Sequence, residues 1–498
     1  MRTILAVAGL LAGILFLASC DAGFDGNFNE NQPPRTFLTV NEINLPEGTR
    51  LTSQINISWW GDDPDGYIVG YEFRIGDDDE QPWVFTTRTD SLFVLPIEEG
   101  NTDADVRFTV RAVDNEGAVD PEPPNLVFPI RNSPPNIRFR ALETPPDSTF
   151  RVFSFGWQAS DPDGDANLNR IEMAINDTTS WQSVPPDVSF ITVRVDDTVS
   201  PVTSQVFLGR ALNSSDLSFD TINLNADNTF YIRAVDNAGA LSEVVSYEWY
   251  IKQQTSRVLV LNDIQGDTNF QIVQQHFDLL RNVGINQFDF MDITDGVTTG
   301  GRRVVLSRAF PDRSLGNPTI NLMLAEWDHI YWVSNNLDRN VGYALELTVR
   351  FFENGGTMFI NIPTRDLPAD NPLFQFLPFQ RMEVLPSGQQ SFFIANNSLI
   401  EPTEFVSNPP FLQFRRNLLS YYPLIPFGET VPLFEADFKT RAAVTGFIND
   451  FGGSKLISAT NPDESILYFG VDLREFTADS ELTRLIEITC IEILGFQQ

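Results

Sequence analysis

Two short acidic motifs carry the most chemically suggestive side chains of this chain. Asp62-Asp63-Pro64-Asp65-Gly66 is followed far downstream by Asp114, and Asp161-Pro162-Asp163-Gly164-Asp165 is followed by Asp236. Carboxylates packed this densely, with no basic residue inside the motif, repel one another unless a cation intervenes. Ca²⁺ takes six to eight oxygen ligands in flexible geometry, which such loops can supply. The sequence therefore offers Asp62, Asp63, Asp65 and Asp114, and Asp161, Asp163, Asp165 and Asp236, as candidate calcium ligands. The same string is also plain turn chemistry, in which Asp caps the turn, Pro fixes φ and Gly takes a positive φ.

Other reactive groups are sparse. The only cysteines are Cys20 and Cys490, and the only histidines His276 and His329. Cys490 lies in an amphipathic segment, 485–494, and reads as a core thiol. Neither histidine has a cysteine, a second histidine or metal-ligand spacing beside it, so both read as structural or solvent-facing. No Gly-x-Cys-x-Gly or Gly-x-Ser-x-Gly elbow occurs, and no catalytic residue is assigned.

The acidic motifs belong to a longer duplication. Trp59 and Trp157 each stand four residues before an Asp-Pro-Asp-Gly. Each copy is answered by a second string, Arg111-Ala112-Val113-Asp114-Asn115-Glu116-Gly117-Ala118 and Arg233-Ala234-Val235-Asp236-Asn237-Ala238-Gly239-Ala240. Residues 54–59, 67–75 and 106–113 alternate apolar and polar between turn-rich stretches, which predicts an antiparallel sandwich. The motifs become the B–C turn and the end of strand F, whose loops share one pole. The second copy carries extra residues, mainly within 185–227, expected to form an enlarged loop or edge hairpin.

With Trp59 as a strand-B tryptophan, Tyr71 as a strand-C aromatic and Phe108-x-Val110-x-Ala112 as strand F, the pattern resembles fibronectin type III domains of bacterial envelope proteins. The resemblance implies the fold and nearly nothing about activity. Phe108 stands where the family usually has Tyr, so packing replaces the corner hydroxyl bond.

From Arg257 the periodicity changes. Continuous apolar runs (258–261, 330–333, 358–362, 465–471) alternate with helical patterns (269–282, 319–326, 340–354, 479–495), which predicts a three-layer α/β domain with a mostly parallel sheet. Ligands of such sheets bind beyond the carboxyl ends of the strands. The residues expected there are Asn262, Asp263, Ser334, Asn335, Asn336, Asn361 and Arg365. They read either as a ligand crevice or as helix caps, alongside Asp267, Thr268 and Asp338. Ser334 could in principle be a nucleophile, but no base is evident.

Trp327-Asp328-His329-Ile330-Tyr331-Trp332, the run Phe351 to Ile360 and Leu467 to Leu473 resemble class I glutamine-amidotransferase-like domains, in particular those attached to extracytoplasmic lipoproteins. That resemblance implies a Cys nucleophile on a strand-to-helix turn. Here Pro363-Thr364-Arg365 follows the relevant strand, so the domain reads as inactive.

The remaining boundaries follow from composition. Met1-Arg2-Thr3, the apolar run 4–17 and Leu17-Ala18-Ser19-Cys20 resemble a bacterial lipobox. The resemblance implies a signal peptide over 1–20 and acylation of Cys20. Residues 21–35 read as a flexible tether, 36–131 and 132–253 as the two sandwiches, and 256–498 as the α/β domain. Asn132-Ser133-Pro134-Pro135 is a stiff linker.

A net charge of −34, with lysine only at 252, 439 and 455, disfavours nucleic acid and fits solubility at high salt. The expected role is that of a lipid-anchored envelope protein with a non-catalytic binding or structural role, presenting the α/β head on a stalk of two sandwiches, with an envelope protein or glycan as partner and the outer membrane favoured over the inner. The alternatives are a carbohydrate-active or other hydrolase, and a subunit of a secretion or motility assembly docking through the Phe-rich stretch 373–434.

Overall fold

The computed structural model describes residues 30–40, 49–78, 80–199, 201–264, 269–293, 298–299, 302–303, 310–337, 341 and 344–497. The apolar leader, Cys20, most of the tether and the capping candidates Asp267, Thr268 and Asp338 lie outside those residues. The chain divides into two compact units, Met1–Ser133 with Pro162–Asn167, and Pro134–Asp161 with Leu168–Gln498.

The first unit is an antiparallel sandwich. One sheet runs β1 (Arg35–Val40), β3 (Gln54–Asp62), β6 (Asp90–Val94). The other runs β2 (Leu51–Thr52), β8 (Asn125–Arg131), β7 (Asp103–Asp114), β4 (Ile68–Ile75), β5 (Val84–Thr86). In strand letters this is A-B-E against G-F-C-C′, the two-sheet arrangement of the immunoglobulin and fibronectin class. Alternation along β3 buries Ile57 and Trp59, leaves Ser58 between them half-buried and exposes the flanking Asn56 and Trp60. Trp59, Phe73, Phe93 and Phe108 form the core, with Phe108 5.0 Å from Phe93 and 5.8 Å from Phe73. Ring packing thus occupies the place of the missing tyrosine hydroxyl.

The second unit begins with the second sandwich. Its sheets are β16 (Asn213–Ser214), β15 (Thr203–Leu208), β14 (Phe190–Asp196), β11 (Val152–Ser160), β9 (Asn136–Phe139), and β10 (Ser148–Thr149), β18 (Val245–Ile251), β17 (Ala226–Asp236), β12 (Leu168–Ile175), β13 (Gln182–Val184). The extra residues of this copy form β15 and β16, which extend the A-B-E sheet by antiparallel pairing on β14.

Beyond it, β19 (Val258–Asp263), β20 (Asp289–Asp292), β23 (His329–Ser334), β24 (Thr357–Asn361) and β34 (Ile466–Phe469) pair in parallel, in the spatial order β20-β19-β23-β24-β34. Numbered by chain position that is 2-1-3-4-5, a doubly wound order. Both faces are covered. Val258, Val260, Tyr331, Phe359 and Leu467 point into one core, and Leu259, Leu261, Trp332, Ile360 and Tyr468 into the other. Burial on both faces is why these strands read as unbroken apolar runs.

Antiparallel strands continue the sheet: β33 (Leu456–Thr460), β29 (Leu424–Ile425), β25 (Arg381–Met382), β30 (Val431–Ala436) and β27 (Ile400–Pro402). A separate sheet joins β28 (Leu418–Leu419), β26 (Gln389–Ile394), β31 (Phe438–Ala442) and β32 (Ile448–Asp450), and β21 (Thr298–Thr299) pairs with β22 (Arg302–Arg303). The Phe-rich stretch is mainly core, since Phe374, Phe379, Phe392, Phe414 and Phe434 are buried.

The helices differ in detail from the sequence pattern. Helix α1 (Asn269–Asn282) turns Ile272, Val273, His276, Leu279 and Leu280 inward and leaves Phe270 77% exposed. His276 is therefore on the buried face, not the polar one. The expected helix 319–326 is a wide π-like turn over Gly316–Ile320 leading into α2 (Asn321–Leu324). The expected helix 340–354 is broken at Thr348 into α3 (Ala344–Leu347) and α4 (Val349–Glu353). Thr348 Oγ1 donates to the Ala344 carbonyl at 2.6 Å, a back-bond that favours a bend. The closing helix α5 (Asp479–Ile486) widens into π-helical turns over Glu487–Ile493.

The second sandwich and the α/β layers form one compact unit. Phe150 and Val152 lie in the same core as Ile320, Trp327 and Trp332, and Phe150 meets Trp327 edge-on at 5.0 Å. Ser154, Thr192 and Thr319 link their buried hydroxyls at 2.8 and 2.6 Å. Glu326, its side chain 4% exposed, is gripped by Arg151 at 2.5 Å and Arg194 at 2.6 Å. The expectation of two sandwiches in series as a stalk gives way here to a sandwich built into the α/β domain.

Candidate functional site at the carboxyl edge of the parallel sheet

The acidic motifs fold as the B–C turns, and their carboxylates act as hydrogen-bond acceptors. In the first copy Asp114 closes its own loop, accepting from Glu116 N at 2.9 Å and Ala118 N at 2.8 Å, and takes the Asn31 amide at 2.7 Å. Burial pushes Asp114 up, but Asn31 and the backbone donors outweigh it and hold the carboxyl below the usual range. Asp65 accepts from Gln32 N at 3.1 Å, so the described end of the tether rests on this loop. The B–C and F–G loops do meet, through Asn115 Oδ1, which accepts from Tyr67 N at 2.8 Å. Asp62 is exposed at the end of β3.

In the second copy Asp236 accepts from Ala240 N at 2.8 Å, Asp161 is buried and Asp165 opens a short 3₁₀ turn. Asp163, within the first compact unit, is buried and accepts from Ser53 N at 3.0 Å and Ser133 N at 2.6 Å. The two glycines serve different needs. Gly164 has φ +107, whereas Gly66 does not take a positive φ. A Cβ on Gly66 would stand 2.3 Å from Asn115 Oδ1 and 2.5 Å from Asp63 Oδ2. Asp63 Oδ2 is buried without a hydrogen-bond partner among the described residues. Ca²⁺ needs far more oxygens than this pair, and among the described residues no three His, Cys, Asp or Glu side chains are grouped as metal ligands.

At the carboxyl ends of the parallel strands the polar residues expected from the sequence do come together. Asn262 Oδ1 caps Ile264 N at 3.1 Å after β19. Buried Ser334 donates to Asp263, with Oγ 3.1 Å from its carbonyl and 3.2 Å from its carboxylate, and accepts from Asn336 N at 3.1 Å. Asn361 donates to the carbonyls of Phe469 and Val471 at 3.0 and 2.9 Å, tying β24 to the end of β34. Arg365 reaches Asn336 Oδ1 at 3.3 Å, and Asn335 is exposed on the same loop.

Sequence reasoning missed the rest of this edge. Asp472, just past β34, is held below the usual carboxylate range; burial pushes it up, but Arg474, 2.5 Å away, dominates. Glu475 pairs with Arg416, and burial together with Glu475 and Asp472 pushes the Tyr421 hydroxyl up. Asp472-Leu473-Arg474-Glu475, directly after an apolar strand, was the available signal.

The histidines do not join this network as bases for Ser334. His276 Nδ1 lies 2.9 Å from the Tyr331 hydroxyl and is pushed down to about 4, by burial first and with Asp472 opposing. His329 starts β23, stacks on Phe496 at 4.6 Å and contacts Thr357 Oγ1 at 2.8 Å. It is also pushed down to about 4 by burial. Ser334 ends that same strand, about 16 Å along it. Cys490 is buried, and burial pushes its thiol up, which suits a core residue rather than a nucleophile.

The duplication also repeats a surface feature. On strands C and F, Arg111 pairs with Glu72 and lies 4.1 Å over Trp83, and Arg233 pairs with Glu172 and lies 4.2 Å over Trp181. Each is a cation–π ladder that covers the outer face of its sheet.

No protein-family model and no curated protein sequence matches the chain. Among solved structures it is similar to the fibronectin(III)-like modules of CbhA from Clostridium thermocellum (14% identity, 44% of this chain, 95% of that one, TM-score 0.18). It is also similar to a two-domain fibronectin type III segment of chicken tenascin (11%, 44% and 99%, TM-score 0.18). The PKD1 domain of Vibrio anguillarum Epp matches a shorter part (14%, 20% and 98%, TM-score 0.15). The fold is read from the strand order itself: two antiparallel sandwiches of the immunoglobulin and fibronectin class ahead of a mixed sheet with a parallel centre.

Proposed function

We propose that this chain is an envelope lipoprotein, anchored in a bilayer through acylated Cys20, with a binding or structural role. The observation that carries the non-catalytic part of the reading is the use made of the carboxyl-edge residues. Ser334 and Asp263 bind each other, and Asn361 staples β24 to β34. The doubly wound strand order supports an amidotransferase-like α/β domain without that family's nucleophile. The two sandwiches support a contact role; the proposed partner is an envelope protein or glycan, and the outer membrane is proposed over the inner.

The test is mild cross-linking and capture of the native lipoprotein from fractionated envelopes, together with a panel of ester, amide and glycoside substrates. The reading expects one envelope component to be enriched and no turnover above background. Turnover that disappears in Ser334→Ala would overturn it.

A further inference from the structure

A groove of about 930 Å³ opens on the α/β domain, far along the strands from Ser334 and Asn361. It lies at the amino ends of β24 and β34, since Glu353 closes α4 just before β24 and Ile466 begins β34. Its size is that of a small-molecule site. The walls are Leu345, Val349, Phe352, Phe376 and Phe427, and three of these are well exposed: Leu345 at 40%, Val349 at 48% and Phe427 at 45%. The break at Thr348 sets Leu345 and Val349 on separate short helices along the same wall.

The polar lining selects a charge. Glu353 and Glu429 are the only charged residues lining the groove among the described residues, and both are exposed. The hydroxyls that could serve an anion are already donating, Thr348 to the Ala344 carbonyl and Thr430 to the Pro378 carbonyl at 3.0 Å. Asn461 likewise donates to Ser465 at 2.8 Å. Aromatic faces carry negative quadrupoles and attract cations, and two open carboxylates add to that field. An anionic ligand would meet repulsion from both carboxylates, with the exposed Gln375 amide as the side-chain donor left to it.

We propose that this groove binds a small organic cation with a bulky apolar body. The apolar body covers Leu345, Val349 and Phe427, and the charge sits between Glu353, Glu429 and the phenyl faces. The site is independent of the carboxyl-edge network and of the lipid anchor.

Tetraphenylphosphonium and tetraphenylborate, nearly identical in shape and opposite in charge, test it by calorimetry. The sample is the full chain carrying Cys20→Ser, which removes the acyl chains that would compete for the probes. The phosphonium should bind at least about tenfold more tightly than the borate at high salt, where the general field of the −34 chain is screened. Val349→Arg should remove that binding without lowering Tm, and Glu353→Gln with Glu429→Gln should erase the preference between probes. Phe427→Ala, in an exposed loop, is a second blocking variant should Val349→Arg disturb the helix. Equal affinities for the two probes would overturn the proposal. So would phosphonium binding that survives a folded Val349→Arg or Phe427→Ala variant.

Discussion

His276 stays neutral in the fold because burial opposes its charge, and Asp472 offsets only part of that effect. Its folded value of about 4 lies below the ordinary value near 6.5, so protons favour the unfolded chain between the two. The stability that neutral His276 contributes is complete above the unfolded value. It drains away as pH falls from about 6.5 toward 4, by up to roughly 1–3 kcal/mol. Tm measured from pH 7 to pH 4.5 should fall, and His276→Gln should flatten that fall while lowering Tm at pH 7. The acidic turns make a second residue-scale prediction. Because Asp65, Asp114, Asp163 and Asp236 already accept backbone or amide hydrogens, EDTA should leave Tm unchanged and Ca²⁺ should not raise it. Sequence alone placed the motifs as turns, but not the different parts played by Gly66 and Gly164, because that depends on where Asn115 comes to rest.

Strands were legible in this sequence to the degree that their faces differ. Strand β3 alternates, with Gln54, Asn56 and Ser58 outward, while the matching positions of β11 are Val152, Ser154 and Gly156 and are buried. That loss of polarity was a readable sign that the second sandwich packs against something. What it packs against was not readable, since Phe150 and Trp327 are brought together only by the tertiary fold. Helices were less legible. The inward turn of His276 and the break at Thr348 answer to neighbours rather than to periodicity. The Glu326 clamp belongs to this scale. Glu326→Ala removes one of the two carboxylates on largely buried Arg151, leaving it Asp197, and should cost about 2 kcal/mol, read as a shift in the urea midpoint at unchanged slope. Trp181→Ala, which removes one half-buried cation–π rung, should cost about 1–2 kcal/mol.

For the chain as a whole, the shared core of Phe150 and Val152 with the α/β layers makes Pro134–Asp161 and Leu168–Gln498 one compact unit. Limited proteolysis should spare the connection at 252–257 and yield no free second sandwich. A fragment ending near residue 253 would restore the two-sandwich stalk expected from composition. The parallel sheet was legible because both its faces are buried. The groove beside Phe427 was not, since its lining runs from Leu345 to Ile466 and is assembled from segments far apart in the chain.

The proposed role depends most on Cys20. Metabolic labelling of the full chain with an alkyne fatty acid, followed by fractionation, tests it in one experiment. The account predicts that the wild type is labelled and sediments with membranes, while Cys20→Ser is unlabelled and released. Equal labelling of the two, or a wild type that stays unlabelled and free of membranes, would contradict it.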